Sequence, residues 1–127
     1  MNKDKLIELY KNYGLTKNDV FKHQHYGIIT RQGIDKIQAV EQMSVTYEVI
    51  RCETNFAVFK AYAEKEGKKI ETFGSALKGE GYKDGNTNSW YVAEMAEKRA
   101  MSRAVLKLTG FYELGVFGED ESESFKK

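Results

Sequence analysis

Two histidines, one cysteine and scattered carboxylates are the side chains of this 127-residue chain that could do metal or covalent chemistry. His23 and His25 stand two apart, a spacing that puts both imidazoles on one face of a strand, yet only Asp19 is near as a third ligand. Cys52 has no histidine beside it in sequence to draw off its proton, and the segment from Phe73 to Ala76, FGSA, lacks the second glycine of a nucleophile elbow. Gly79, Gly81 and Gly85 lie between a strand-like and a helix-like segment, where phosphate loops occur. Their GxGxxxG spacing is neither the dinucleotide fingerprint nor a P-loop, so the segment reads as a plain loop. Glu94 and Glu97 could form a carboxylate pair, but Glu94 stands four residues before Lys98 and is placed to pair with it. The expectation is a protein that is not an enzyme, with no cofactor and no metal.

What is left is a set of aromatic residues interleaved with cations. It comprises Arg51, Lys60 with Tyr62, Lys68 and Lys69, Lys78, Tyr82 and Lys83, and Trp90 beside Tyr91. Bases stack on rings while lysine and arginine follow phosphates, so this pattern suits a single-stranded nucleic acid. The competing demand is the core, since fifteen residues are Phe or Tyr and most must be buried. The net charge of +1 hides a division: residues 1–118 carry 18 basic and 15 acidic side chains, while the nine from Glu119 hold four acids and two lysines. A mildly basic domain, 1–118, thus precedes an acidic flexible tail, 119–127.

These side chains must be positioned by the elements the pattern dictates. Leu6, Ile7, Leu9, Tyr10 and Tyr13 recur at helical spacing before Gly14, predicting a helix from about Lys3 to Tyr13. Thr16 suits the cap of a short turn through Phe21, and Tyr26 to Ile29 reads as extended. Thr30 can cap a helix from Arg31 to about Gln42 with Ile34, Ile37 and Val40 on its core side. From Ser44 the period becomes two, and three strands follow: Ser44 to Cys52, Phe56 to Glu64 and Lys69 to Leu77, the last two joined by a hairpin turn with Gly67 at its tip. In the second of these, Ala57, Phe59, Ala61 and Ala63 share a parity suited to a closely packed helix. Asn88 or Ser89 can cap that helix, Trp90 to Thr109, which Gly110 ends. Ala96, Ala100, Ala104 and Leu108 form its smooth stripe, with Arg99, Arg103 and Lys107 as a basic row beside it. The expected fold is α+β: a three-stranded antiparallel meander packed on a long C-terminal Ala-rich helix, with two short N-terminal helices.

Composition bounds the setting. With 41% hydrophobic and 31% charged residues the chain is an ordinary globule of one domain, and no apolar run approaches a membrane span. The start, MNKDKLIELYKNYG, lacks the apolar stretch of a secretory signal, and the lone Cys52 fits a reducing compartment, so a cytoplasmic location is expected.

The segment Glu94 to Gly110, EMAEKRAMSRAVLKLTG, resembles the helix that follows a β-meander in phage and bacterial single-strand annealing and single-stranded-DNA-binding proteins. Those families look like relatives of the eukaryotic strand-annealing recombination mediator. The resemblance extends from Ile28 to about Asp120, taking in IITRQGIDKIQ at Ile28 and YELGVFGEDE at Tyr112. It implies a β-β-β-α core that binds single-stranded DNA between the sheet or its hairpin and the long helix, within an assembly of identical subunits. Carried onto this chain, it puts Arg99 and Arg103 on the motif's arginines, as DNA contacts or as structural pairs, and Lys68 and Lys69 on the hairpin. The expectation is that no further domain follows the core, which favours strand coating over annealing. The function expected is therefore single-stranded-DNA binding in phage or bacterial replication and recombination, in the host cytoplasm if phage, with the acidic tail recruiting a replication or recombination protein. The alternative is a protein-interaction module, such as a phage protein that binds a host factor, using the same aromatic surface.

Overall fold

A computed structural model describes residues 3–23, 26–79, 85–87 and 90–119. Helix α1 (Lys3–Asn12) packs Leu6, Leu9 and Tyr10 on the core and breaks at Gly14, whose φ of +67° suits glycine. Strands β1 (Val20–His23) and β2 (Tyr26–Ile29) pair antiparallel and lead into α2 (Arg31–Glu41), where the Thr30 hydroxyl accepts from the Gly33 amide at 3.2 Å. Strands β3 (Ser44–Cys52), β4 (Phe56–Lys65) and β5 (Lys68–Leu77) form the antiparallel meander, with a two-residue turn at Glu66 and Gly67. Helix α3 (Val92–Thr109) then crosses the meander, and a short 3-10 turn leads to β6 (Val116–Gly118).

The helix lies against β4 and β5 because small residues meet small residues. Ala57, Ala61, Ala63 and Ala76 of the sheet, and Ala96, Ala100 and Ala104 of α3, are all buried. Gly74 marks the closest approach: a Cβ there would drive into the Ala96 carbonyl oxygen and the Ala100 amide nitrogen. Thr72 fastens the contact, donating its hydroxyl proton to the Ala100 carbonyl at 2.7 Å. Beyond the sheet, Phe111 packs with Ile29, Ile34, Ile37, Met101, Val105, Leu106 and Val116 in the larger core.

The N-terminal region differs from its reading in sequence. Residues 17–19 turn, but Val20 and Phe21 belong to β1 rather than to a helical turn. Asp19 holds that turn: its Oδ2 accepts from the Thr16 amide at 2.9 Å and from Lys36 Nζ at 2.7 Å. Val40 of α2 is 57% exposed, so Gly33, Ile34 and Ile37 make the buried side instead. Helix α3 begins at Val92, with Tyr91 at its cap making no side-chain cap bond; Asn88 and Ser89 lie outside the described residues. A second sheet, ordered β1-β2-β6, exists because β6 pairs parallel to β2, with Gly27 opposite Val116. Three residues are too few to show a period, so this strand has no sequence signature.

Candidate nucleic-acid interface

With α3 covering one face of the meander, no element among the described residues covers the opposite face of β3, β4 and β5. Register fixes its rows: Thr46, Tyr62 and Glu71; Glu48, Lys60 and Phe73; Arg51, Val58 and Ser75; and Phe56 beside Leu77. Side chains alternate across a sheet, so these are the residues whose neighbours Ala57, Ala61, Ala63, Gly74 and Ala76 face the helix. A bulge between Val49 and Arg51 shifts parity and turns Arg51 onto the open face.

Cations sit over rings here. Lys60 Nζ lies 5.1 Å from the Tyr62 ring centroid and 5.5 Å from that of Phe73, and it pairs with Glu71 at 2.5 Å. The Glu71 hydrogen bond raises the Lys60 pKa above its ordinary value. Tyr62 donates its hydroxyl proton to Glu48, a bond that raises the phenol pKa by stabilising the protonated form. Arg51 lies 5.7 Å from the Phe56 centroid while its Nε donates to Glu53 at 2.7 Å. Past the end of β5, Lys78 Nζ stands 4.3 Å from the Trp90 ring, and Trp90 and Tyr91 are 64% and 70% exposed.

The residues singled out in sequence therefore fall into distinct places. Arg51, Lys60 and Tyr62 share the open face. Lys78 and Trp90 flank its β5 end, whereas Lys68 and Lys69 begin β5 at the hairpin, roughly 30 Å away along ten residues of strand. Lys69 lines a shallow groove of about 370 Å³ with Thr46, Tyr62, Glu64 and Glu71. Tyr82, Lys83 and the tail from Asp120 lie outside the described residues. Glu119, the first acid of the tail, accepts a hydrogen bond from the Arg31 amide at 3.0 Å, so it serves the N-terminus of α2.

The basic row of α3 divides. Arg99 is 4% exposed and donates from Nη1 to the Ser75 carbonyl at 2.8 Å and from Nη2 to the Asn86 carbonyl at 3.0 Å. Arg103 is half-buried and donates to the Phe73 carbonyl at 2.9 Å. Lys107 turns to the Tyr112 ring, 5.2 Å from its centroid. Arg99 and Arg103 thus reach the outer edge of β5, where Asn86 Oδ1 also accepts from the Leu77 amide at 2.7 Å.

Sequence reasoning passed over Phe56, Val58, Phe73 and Leu77. The signal was available in part, because a two-residue turn at Glu66 and Gly67 fixes Lys60 opposite Phe73 and Tyr62 opposite Glu71. As for metal chemistry, Asp19 is committed to Lys36, His25 lies outside the described residues, and no group of three potential ligands gathers among those described. Cys52 is exposed at the end of β3, opposite Ala57. No helix among the described residues is long and apolar enough to cross a membrane. Comparison with protein-family models, curated proteins and solved structures gives no match.

Proposed function

We propose that the chain binds single-stranded DNA across the open face of the meander. The observation that carries this reading is the set of rings on one sheet face, Phe73 exposed and Phe56 and Tyr62 half-buried, with cations already seated over them: Phe56 with Arg51, and Tyr62 and Phe73 with Lys60. Phe73 and Leu77 are exposed, and Trp90 with Lys78 continues the set past the end of β5. Unpaired bases stack on such rings, whereas a duplex hides its base faces, and none of these side chains sits on a helix that could enter a major groove. The order of three antiparallel strands followed by a long Ala-rich helix is also what the resemblance to single-strand annealing proteins implies. Coating of a strand during replication or recombination, by an assembly of identical subunits whose acidic tail recruits a partner, is the role that fits this surface.

Fluorescence anisotropy of a labelled oligothymidine, set against a duplex of equal length, tests the reading. Tighter binding of the single strand is expected. Equal affinity for both overturns the single-strand assignment, and no binding of either leaves the aromatic surface to a protein partner.

A further inference from the structure

The two edges of the meander are treated differently. At β5 the outward carbonyls of Phe73 and Ser75 are taken by Arg103 and Arg99, and the Leu77 amide by Asn86. No strand can add there without displacing them. At β3, the other edge, alternation directs the backbone of Thr46 and Glu48 towards β4 and that of Val45, Tyr47 and Val49 outwards. Among the described residues no backbone hydrogen bond reaches those three. Their side chains, on the inner parity, extend past the cover of α3: Val45 is half-buried, while Tyr47 and Val49 are 38% and 56% exposed and Ile50 of the bulge is exposed too. The strand from Ser44 to Cys52 holds no lysine or proline, the residues that commonly guard an open edge.

We propose that β3 pairs with β3 of a second copy of this chain, antiparallel about a two-fold axis at Tyr47, joining two meanders into one six-stranded sheet. The register selects itself. With Tyr47 opposite Tyr47, Val45 faces Val49 in both directions, and all three outward-directed residues of each strand fall in hydrogen-bonded pairs. On the other face Thr46 then lies opposite Glu48, a hydroxyl donor against a carboxylate acceptor. Moving the axis by one residue towards Cys52 sets Glu48 against Glu48, and moving it towards Ser44 leaves Val49 opposite Met43, outside the strand. An edge so used is consumed, and with β5 capped the assembly closes at two.

Sedimentation equilibrium of the full chain tests the proposal, with a variant that places a charge at the axis, Tyr47→Glu. The parent is expected to be a dimer and the variant a monomer with unchanged circular dichroism. In a Cys52→Ser background, Tyr47→Cys is expected to form an intermolecular disulfide on mild oxidation, because cross-strand Cα atoms at the axis stand about 5.5 Å apart, while Val49→Cys, facing Val45, is expected to form none. A monomeric parent, a trimer, or a dimer that survives Tyr47→Glu overturns the proposal. If Tyr47→Glu fails to fold, the cysteine pair decides alone: a disulfide through Val49→Cys but not Tyr47→Cys overturns the register.

Discussion

Replacing Arg99 by Met separates a structural arginine from a nucleic-acid contact. The side chain is 4% exposed, and its fork joins the Ser75 carbonyl of β5 to the Asn86 carbonyl of the loop that follows. Methionine keeps the apolar stem but removes both charged hydrogen bonds, leaving the Ser75 carbonyl only the longer one from Asn86 Nδ2 at 3.3 Å. A hydrogen bond to a charged donor contributes roughly 1.5–3 kcal/mol, and water can reach the half-buried Asn86, so the loss is set at about 3 kcal/mol for the two together. For a chain of this length that lowers the thermal midpoint by roughly 10 °C. Arg99→Lys should fall between parent and methionine variant, because one ammonium cannot span both carbonyls. Melts followed by circular dichroism, beside oligothymidine titrations below the variant's transition, give the answer. Lowered midpoints with unchanged affinity are expected. A methionine variant that melts with the parent and loses oligothymidine, with binding restored by lysine, would refute the reasoning.

Two further substitutions probe the open face and the helix contact. Phe73→Ala removes an exposed ring, so the melt should hardly change while oligothymidine affinity falls by the roughly 1–3 kcal/mol of a stacked base, read by anisotropy. Gly74→Ala, one residue along on the opposite face, should destabilise by about 3 kcal/mol or more, read by urea denaturation, because its Cβ meets helix backbone that cannot step aside.

The alternation of β4 was legible because its two parities differ so sharply: Ala57, Ala61 and Ala63 on one side, Phe56, Lys60 and Tyr62 on the other. Thr30 and Gly110 likewise act locally, through a side-chain cap and a left-handed φ of +89°, so both helix ends could be placed from sequence. The fate of Arg99 could not. Arginines four apart on a helix look like a solvated row, and Arg99 is buried only because Gly74 admits α3 close enough for its fork to reach β5. That depends on a contact between residues more than twenty apart in sequence. The β2-β6 pair fails to show for the same reason, since it joins Gly27 to Val116. Val40 misled by position: it continues the spacing of Ile34 and Ile37, but 3.6 residues per turn carry it round the helix to 57% exposure, and in the last turn Glu41 takes their side, bonded to Tyr13 and Lys65.

The charges of the open face decide what kind of grip it can exert. Arg51, Lys60 and Lys69 share it with Glu48, Glu64 and Glu71, so its formal charge is balanced, and the pairs Lys60–Glu71 and Arg51–Glu53 are already made. A phosphate that takes Lys60 from Glu71 leaves that carboxylate beside the strand, where its repulsion offsets most of the attraction gained. Counterion release scales with the number of phosphates truly neutralised, so these cations contribute little slope to a plot of log affinity against log salt. The rings are not subject to that cancellation. Phe56, Tyr62 and Phe73 stay on this face whatever the ionic strength, and Glu71 and Glu53 hold Lys60 and Arg51 in place over them. Single-stranded DNA bound on this face as proposed is therefore expected to be held by stacking and to tolerate salt, with the electrostatic share falling to lysines at its ends, Lys68 at the hairpin and Lys78 beside Trp90.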